Sequence, residues 1–164
     1  MRVSLDGKFC LDTAPWLNWG DIKYGFDHKY LDSNSVVQFA TASLSIDSSS
    51  YQYDLAMCDP KHESVVSEIL NNLTNGMIID TADAKRSWIF IFLKKLYICR
   101  EEYKDPLGEV EKIYADFDYP EYISPLVRYM PASDGAITGE DEILRRWEGL
   151  LHTLQAEISR ERDQ

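Results

Sequence analysis

No stretch of this 164-residue chain approaches the ~20 apolar residues that a membrane-spanning helix needs. No basic segment followed by an apolar run opens the chain, so no export signal is expected and the cytoplasm is the expected location. Cysteine is scarce and odd in number: Cys10, Cys58 and Cys99. No pair has C-x-x-C spacing, which excludes a disulfide framework and a zinc pattern and leaves reduced, buried thiols as the expectation. His28, His62 and His152 lie far apart, and none belongs to an H-E-x-x-H pair. The P-loop, G-x-G-x-x-G and G-x-S-x-G patterns are missing. No catalytic residue, cofactor or metal ion is therefore expected. Basic residues are outnumbered: 17 Lys and Arg against 28 Asp and Glu give a formal charge of −11. Such a surface repels nucleic acid, whose phosphates are also negative, and attracts basic partners.

What is present is a folded, apolar-patterned chain. Apolar content of 45% and aromatic content of 12% exclude disorder. The length fits a single domain over residues 1–164 with a substantial core. The chain is organised around Arg86 to Arg100, RSWIFIFLKKLYICR, too apolar for a surface helix and too short for a bilayer span. It reads as the middle of a central buried helix that starts at Asp80 or Thr81 and runs to about Tyr103.

Around it, helix signals recur. Residues 1–17 form an N-terminal arm whose form, short strand or short helix, is open. Asn18 reads as an N-cap with Asp21 three residues on, opening a short helix to about His28 that buries Trp19, Ile22 and Phe26. Gly25 inside it weakens that helix without ending it. Asp32 or Ser33 caps the next, with Val36, Val37, Ala40 and Leu44 on one face. Tyr51 to Cys58 fits a helix face through Tyr51, Leu55 and Cys58, although its alternation also fits a strand. Asp59-Pro60 and Asp105-Pro106 both read as a capping Asp followed by Pro at the first helical position. The first opens a stripe of Val65, Val66, Ile69, Leu70 and Leu73, closed at Asn75-Gly76. The second opens a stripe of Leu107, Val110, Ile113, Tyr114 and Phe117. Ser124-Pro125 caps a further turn, and Pro131 to Gly139 is a loop. Thr138 and Asp141 approximate a capping box. Ile143, Leu144, Trp147, Leu150, Leu151, Leu154 and Ile158 mark a long amphipathic helix, with a frayed tail over 159–164. The fold class is all-α: about seven helices in a single bundle of stacked antiparallel pairs around the central helix.

Two places invite a functional reading. Asp116-Phe117-Asp118 has the Asp-x-Asp form of some metal and sugar-nucleotide sites, but an exposed helix end accounts for both carboxylates. From Glu101 to Tyr122 the chain carries Glu101, Glu102, Asp105, Glu109, Glu111, Asp116, Asp118 and Glu121 against Lys104 and Lys112 alone. Tyr103, Tyr114, Tyr119 and Tyr122 are interleaved. Carboxylates that steer a basic partner, with tyrosines supplying contact area, suit a protein interface. A solvated helix face with core tyrosines is the competing account.

Four pieces in order carry a family resemblance: Asn18-Trp19-Gly20-Asp21 with Gly25; Trp88 to Tyr97; Ile113-Tyr114-Ala115-Asp116-Phe117-Asp118-Tyr119-Pro120; and Val127-Arg128-Tyr129-Met130-Pro131. Over roughly Pro15 to Leu154 the chain resembles the bacterial domain of unknown function 2247 family. The resemblance implies a small helical protein that acts as a cytoplasmic immunity protein. Such a protein neutralises the toxin domain of a contact-dependent or other polymorphic toxin system by 1:1 binding. It implies no catalytic residues. On this reading the toxin-binding residues are Glu101, Glu102, Glu109, Asp116, Asp118, Tyr119, Glu121 and Tyr122, and the partner is a basic toxin domain, such as a nuclease, rather than a nucleic acid or a membrane. Two alternatives stand beside it: a metal-dependent hydrolase or transferase using Asp116 and Asp118, and a helical scaffold or regulatory module.

Overall fold

Short polar residues ahead of apolar stripes set most of the helix starts. The computed structural model describes residues 3–129 and 139–163. Among these, eight α-helices and two short 3-10 helices are present and no strand, so the protein is all-α. None of the described helices is long and apolar enough to cross a membrane. The helices are α1 (Gly7–Thr13), α2 (Trp19–Asp27), α3 (Ser33–Ala42), α4 (Ser50–Ala56), α5 (Glu63–Leu73), α6 (Thr81–Ile98), α7 (Pro106–Asp116) and α8 (Glu140–Arg162). The 3-10 helices span Arg100–Glu102 and Glu121–Leu126.

The chain divides into two compact units, one formed by Ser4–Trp88 and the other by Met1–Val3 with Ile89–Gln164. The division falls within α6. From Ser87 through Leu93 every residue of that helix is buried, so no solvent-facing stripe interrupts it there.

In the first unit, the arm whose form was open is helix α1, capped by the Asp6 side chain, which accepts from the Phe9 N–H. It lies close against α3. A side chain at Gly7 would meet the Ser35 carbonyl oxygen at 2.1 Å, so only glycine permits this approach. The Ser35 hydroxyl donates to the Leu5 carbonyl at 2.8 Å and closes the same contact. Helix α2 begins with the expected Asn18/Asp21 capping box, both arms present at 3.0 and 2.9 Å. Gly25 does not break it, because the glycine serves packing: a Cβ there would sit 2.5 Å from Trp88 Cζ2. The Trp88 indole N–H donates to the Asp21 carbonyl at 3.0 Å, fixing the ring in that notch. Ile22 is buried, whereas Trp19 and Phe26 are only half-buried.

Three further expectations for this unit are corrected. Helix α4 buries Gln52 and Leu55, with Tyr51 exposed and Cys58 half-buried. Gln52 was not read as a core residue, but its amide donates to the Ala40 carbonyl at 3.2 Å and the Ser43 hydroxyl at 3.1 Å, satisfying it in place. Asp59-Pro60 does not open a helix; the Asp59 carboxylate accepts from the Lys61 N–H in a turn, and α5 starts only at Glu63. Val65 on α5 is exposed, while Val66 and Leu70 are buried.

In the second unit, α6 ends at Ile98 rather than near Tyr103, and the chain passes into the 3-10 turn Arg100–Glu102. Cys99, expected to be buried, is half-buried there. Helix α7 begins as expected at Asp105-Pro106, and its whole stripe from Leu107 to Phe117 is buried. Phe92 of α6 meets Phe117 with ring centroids 6.1 Å apart. Helix α8 docks through Trp147, whose indole N–H donates to the Leu93 carbonyl at 3.2 Å and whose ring stands edge-on to Tyr97. Its last turn does not fray at Ser159 but continues to Arg162. Gly139 stands at its N-cap; Thr138, Met130, Pro131 and the rest of the expected loop lie outside the described residues.

The Gly25–Trp88 notch yields a stability prediction. Gly25→Ala should destabilise the protein by about 1–3 kcal/mol by overpacking, read from urea unfolding followed by tryptophan fluorescence. A wild-type midpoint in that variant would show that the indole can move aside.

Candidate binding surface

The candidate residues sit around α7, and its ends treat charge in opposite ways. At the N-terminus, the Asp105 side chain caps the helix by accepting from the Gly108 N–H at 3.2 Å. The same carboxylate takes two hydrogen bonds from the Arg128 guanidinium, both at 3.1 Å. Arg128 also reaches Glu111, at 2.8 Å from Nε and 3.2 Å from a terminal nitrogen. One planar fork thus joins two carboxylates and ties the segment after the second 3-10 helix onto α7. Hydrogen bonding from Arg128 holds the Asp105 carboxyl below its ordinary range, helped by the Gly108 N–H and the nearby cations and opposed by burial. The same two carboxylates raise the basicity of Arg128 further. Glu109 pairs with Lys112 at 2.9 Å and is largely covered.

The C-terminus of α7 is different. The Tyr119 N–H donates to the Tyr114 carbonyl at 2.8 Å and the Asp118 N–H to the Ala115 carbonyl at 3.1 Å. This is the Schellman closure, in which the residue after the C-cap is left-handed and usually glycine. Here it is Asp118, at φ 63°, and Tyr119 follows at φ 56°. Two successive non-glycine residues in this region cost on the order of 1 kcal/mol each. Asp116 and Asp118 also place carboxylates at the helix end where the backbone carbonyls already concentrate negative charge. Tyr119 stands edge-on to the buried ring of Tyr114, centroids 5.2 Å apart, and is 58% exposed. Tyr129, in the segment after the second 3-10 helix, is 61% exposed. Partial desolvation, and then the fields of Tyr114, Glu111 and Tyr119, raise its phenol above the ordinary value.

The eight residues expected to bind a partner fall on both flanks of α7 and on the helix itself. Asp116, Asp118, Tyr119, Glu121 and Tyr122 gather at the C-terminal end of α7 and in the 3-10 turn after it, all exposed. Glu101 and Glu102 are exposed in the 3-10 turn that precedes α7. The 11 residues of α7 lie between the two groups in the chain. Glu109 belongs to neither, being taken up by Lys112 on the helix. Burial, then Cys99, Glu109 and Glu102, raise the Tyr103 phenol beside the first group. Among the described residues no three His, Cys, Asp or Glu side chains come together as a metal site. Sequence reasoning missed Tyr129 as a surface residue and Arg128 as the partner of Asp105 and Glu111. The signal was present in the Arg-Tyr pair of the fourth motif, but the contact spans 23 and 17 positions.

A family model described as an uncharacterized protein conserved in bacteria (DUF2247) matches residues 8–154, slightly beyond the stretch over which the motifs carry the resemblance. No curated protein and no solved structure matches the chain.

Two measurements test this geometry. Arg128→Gln should lower stability at neutral pH by about 1 kcal/mol, since the ion pairs are partly exposed. The folded-state pKa of Asp105 is depressed, so the stability it contributes is present above the unfolded carboxylate value and is lost as pH falls through the folded one. The gap between wild type and Arg128→Gln in urea titrations should therefore close toward acid pH; a pH-independent gap would deny the ion pairs this part. Asp118→Gly should raise the thermal midpoint, by about 0.5–1 kcal/mol in stability, by relieving the left-handed residue and removing a charge from the helix end.

Proposed function

We propose, from the premise that the chain belongs to the bacterial DUF2247 family, that it is an immunity protein that binds and neutralises a cognate toxin domain. It works by stoichiometric 1:1 binding in the cytoplasm, with no catalytic step of its own. The partner is a basic domain, for which a nuclease is the natural candidate: the side chains that grip nucleic acid would equally attract a protein of net charge −11.

One observation carries this reading. Internal pairing takes up Asp105, Glu109 and Glu111 through Arg128 and Lys112, yet Asp118, Tyr119 and Glu121 remain turned to solvent beyond the end of α7. Carboxylates steer a basic partner during encounter, and tyrosine rings bury area with little loss of side-chain freedom. The family resemblance and the acidic balance point the same way.

The test begins in cells. Co-expression with a toxin domain taken from the genes that neighbour this one should restore growth that the toxin alone abolishes; persistent killing by every such domain, with both proteins soluble, would sink the proposal. With the purified pair, Asp116→Lys/Asp118→Lys should slow association by about tenfold and flatten its salt dependence. Unchanged association kinetics would move the interface elsewhere.

A further inference from the structure

We infer that the cleft where α2, α3 and α5 of the first unit meet binds a small zwitterion, a free α-amino acid with an apolar side chain. The inference goes beyond the toxin-binding role and does not depend on it. Two adjoining hollows make the cleft, and Phe26, Lys29 and Glu63 line both. The more enclosed one measures about 290 Å³. Ser33, which opens α3, lines that hollow. It is 7% exposed, and its hydroxyl has no hydrogen-bond partner. The nearby Ser35 hydroxyl, also buried, is bonded to the Leu5 carbonyl instead. A buried hydroxyl left unpaired is costly, and the chain offers Ser33 nothing to bond. A molecule seated in the hollow supplies the missing partner.

The charges around the cleft select that molecule. Asp27, Lys29, Asp32 and Glu63 border it. Two of these are already engaged: Asp27 pairs with Lys23 at 2.9 Å, and Asp32 accepts from the Ser35 N–H at 2.8 Å. Lys29 and Glu63 pair neither with each other nor with any described residue, although both border the same space. One free cation and one free anion suit a ligand that carries both signs. Lys29 stands at the left-handed position that closes α2, at φ 66°, where glycine is usual. Helix α5 starts without a side-chain cap, and the N–H groups of Glu63 and Ser64 find no acceptor in the chain. Those N–H groups and Lys29 suit a carboxylate, and the Glu63 carboxylate suits an ammonium. Phe26 and Leu31 add an apolar wall for a side chain. A bare phosphate would be opposed by Glu63, and a simple cation by Lys29.

The probe is L-leucine, titrated into the intact protein while the backbone amides of Lys29, Ser33, Glu63 and Ser64 are followed by NMR. Those amides should shift first, and saturably. Isocaproate, which lacks the ammonium, and isoamylamine, which lacks the carboxylate, should each bind about tenfold more weakly, as the loss of one charge-assisted contact requires. Ser33→Ala removes an unpaired buried hydroxyl, and Lys29→Gly relieves a left-handed residue. Both variants should therefore keep or raise the thermal midpoint while weakening L-leucine about fivefold or more. A purely structural role for these two side chains would leave the affinity where it was. Wild-type affinity in either variant would mean that water alone serves Ser33 or that Lys29 faces no ligand, and would overturn the inference. Absence of saturable shifts would do the same, as would inorganic phosphate or either analogue binding as tightly as L-leucine. No toxin enters the experiment, so its outcome is separate from the growth rescue.

Discussion

The notch between Gly25 and Trp88 is the constraint on which the first unit depends. A fully buried indole has to satisfy its N–H, and it does so on a backbone carbonyl of α2 that a Cβ at position 25 would push out of reach. Trp88 is flanked by the same logic. Ser87 accepts the indole N–H of Trp16 at 3.0 Å, and Tyr30 lies against the Trp88 ring at 6.0 Å. The N-terminal half of α6 is thereby fixed to the arm and to α2 by hydrogen bonds that specify geometry, within a core whose apolar contacts specify only burial. In the second unit Trp147 makes the equivalent bond to Leu93.

The surface of interest follows from how α7 is held. Its N-terminal end obeys every local rule: a capping Asp, Pro at the first position, an acidic first turn and an arginine fork that binds two carboxylates. Its C-terminal end breaks three, with left-handed Asp118 and Tyr119, carboxylates at the negative pole and exposed rings. A stable N-terminal end can carry a locally unfavourable C-terminal one. Where sequence and local physics disagree on an otherwise consistent helix, function is the natural reason.

Much of the fold was legible because it is written in local signals. Asn18/Asp21, Asp32 and Asp105-Pro106 cap helices, and the stripe of α7 is buried residue for residue, because capping and periodicity act over three or four positions. The same reasoning misjudged Asp59-Pro60, where the Asp oxygen closes a turn; at Gly25 it had the helix but not the packing against Trp88 that the glycine serves. The Asp-Phe-Asp-Tyr piece was legible as a helix end but not as a Schellman closure without glycine. The candidate site was legible as composition alone: the acidic residues and tyrosines were countable, but which of the carboxylates Arg128 would take up was not.

The sequence by itself determined the helical class, most helix starts, the apolar stripes and the negative charge, since each depends on neighbours a few residues apart. Only the tertiary structure decided which carboxylates are consumed by Arg128 and which face solvent. It alone decided that Gly25 is a seat for Trp88. Those outcomes depend on contacts between residues 17 to 67 positions apart, and no local periodicity encodes them.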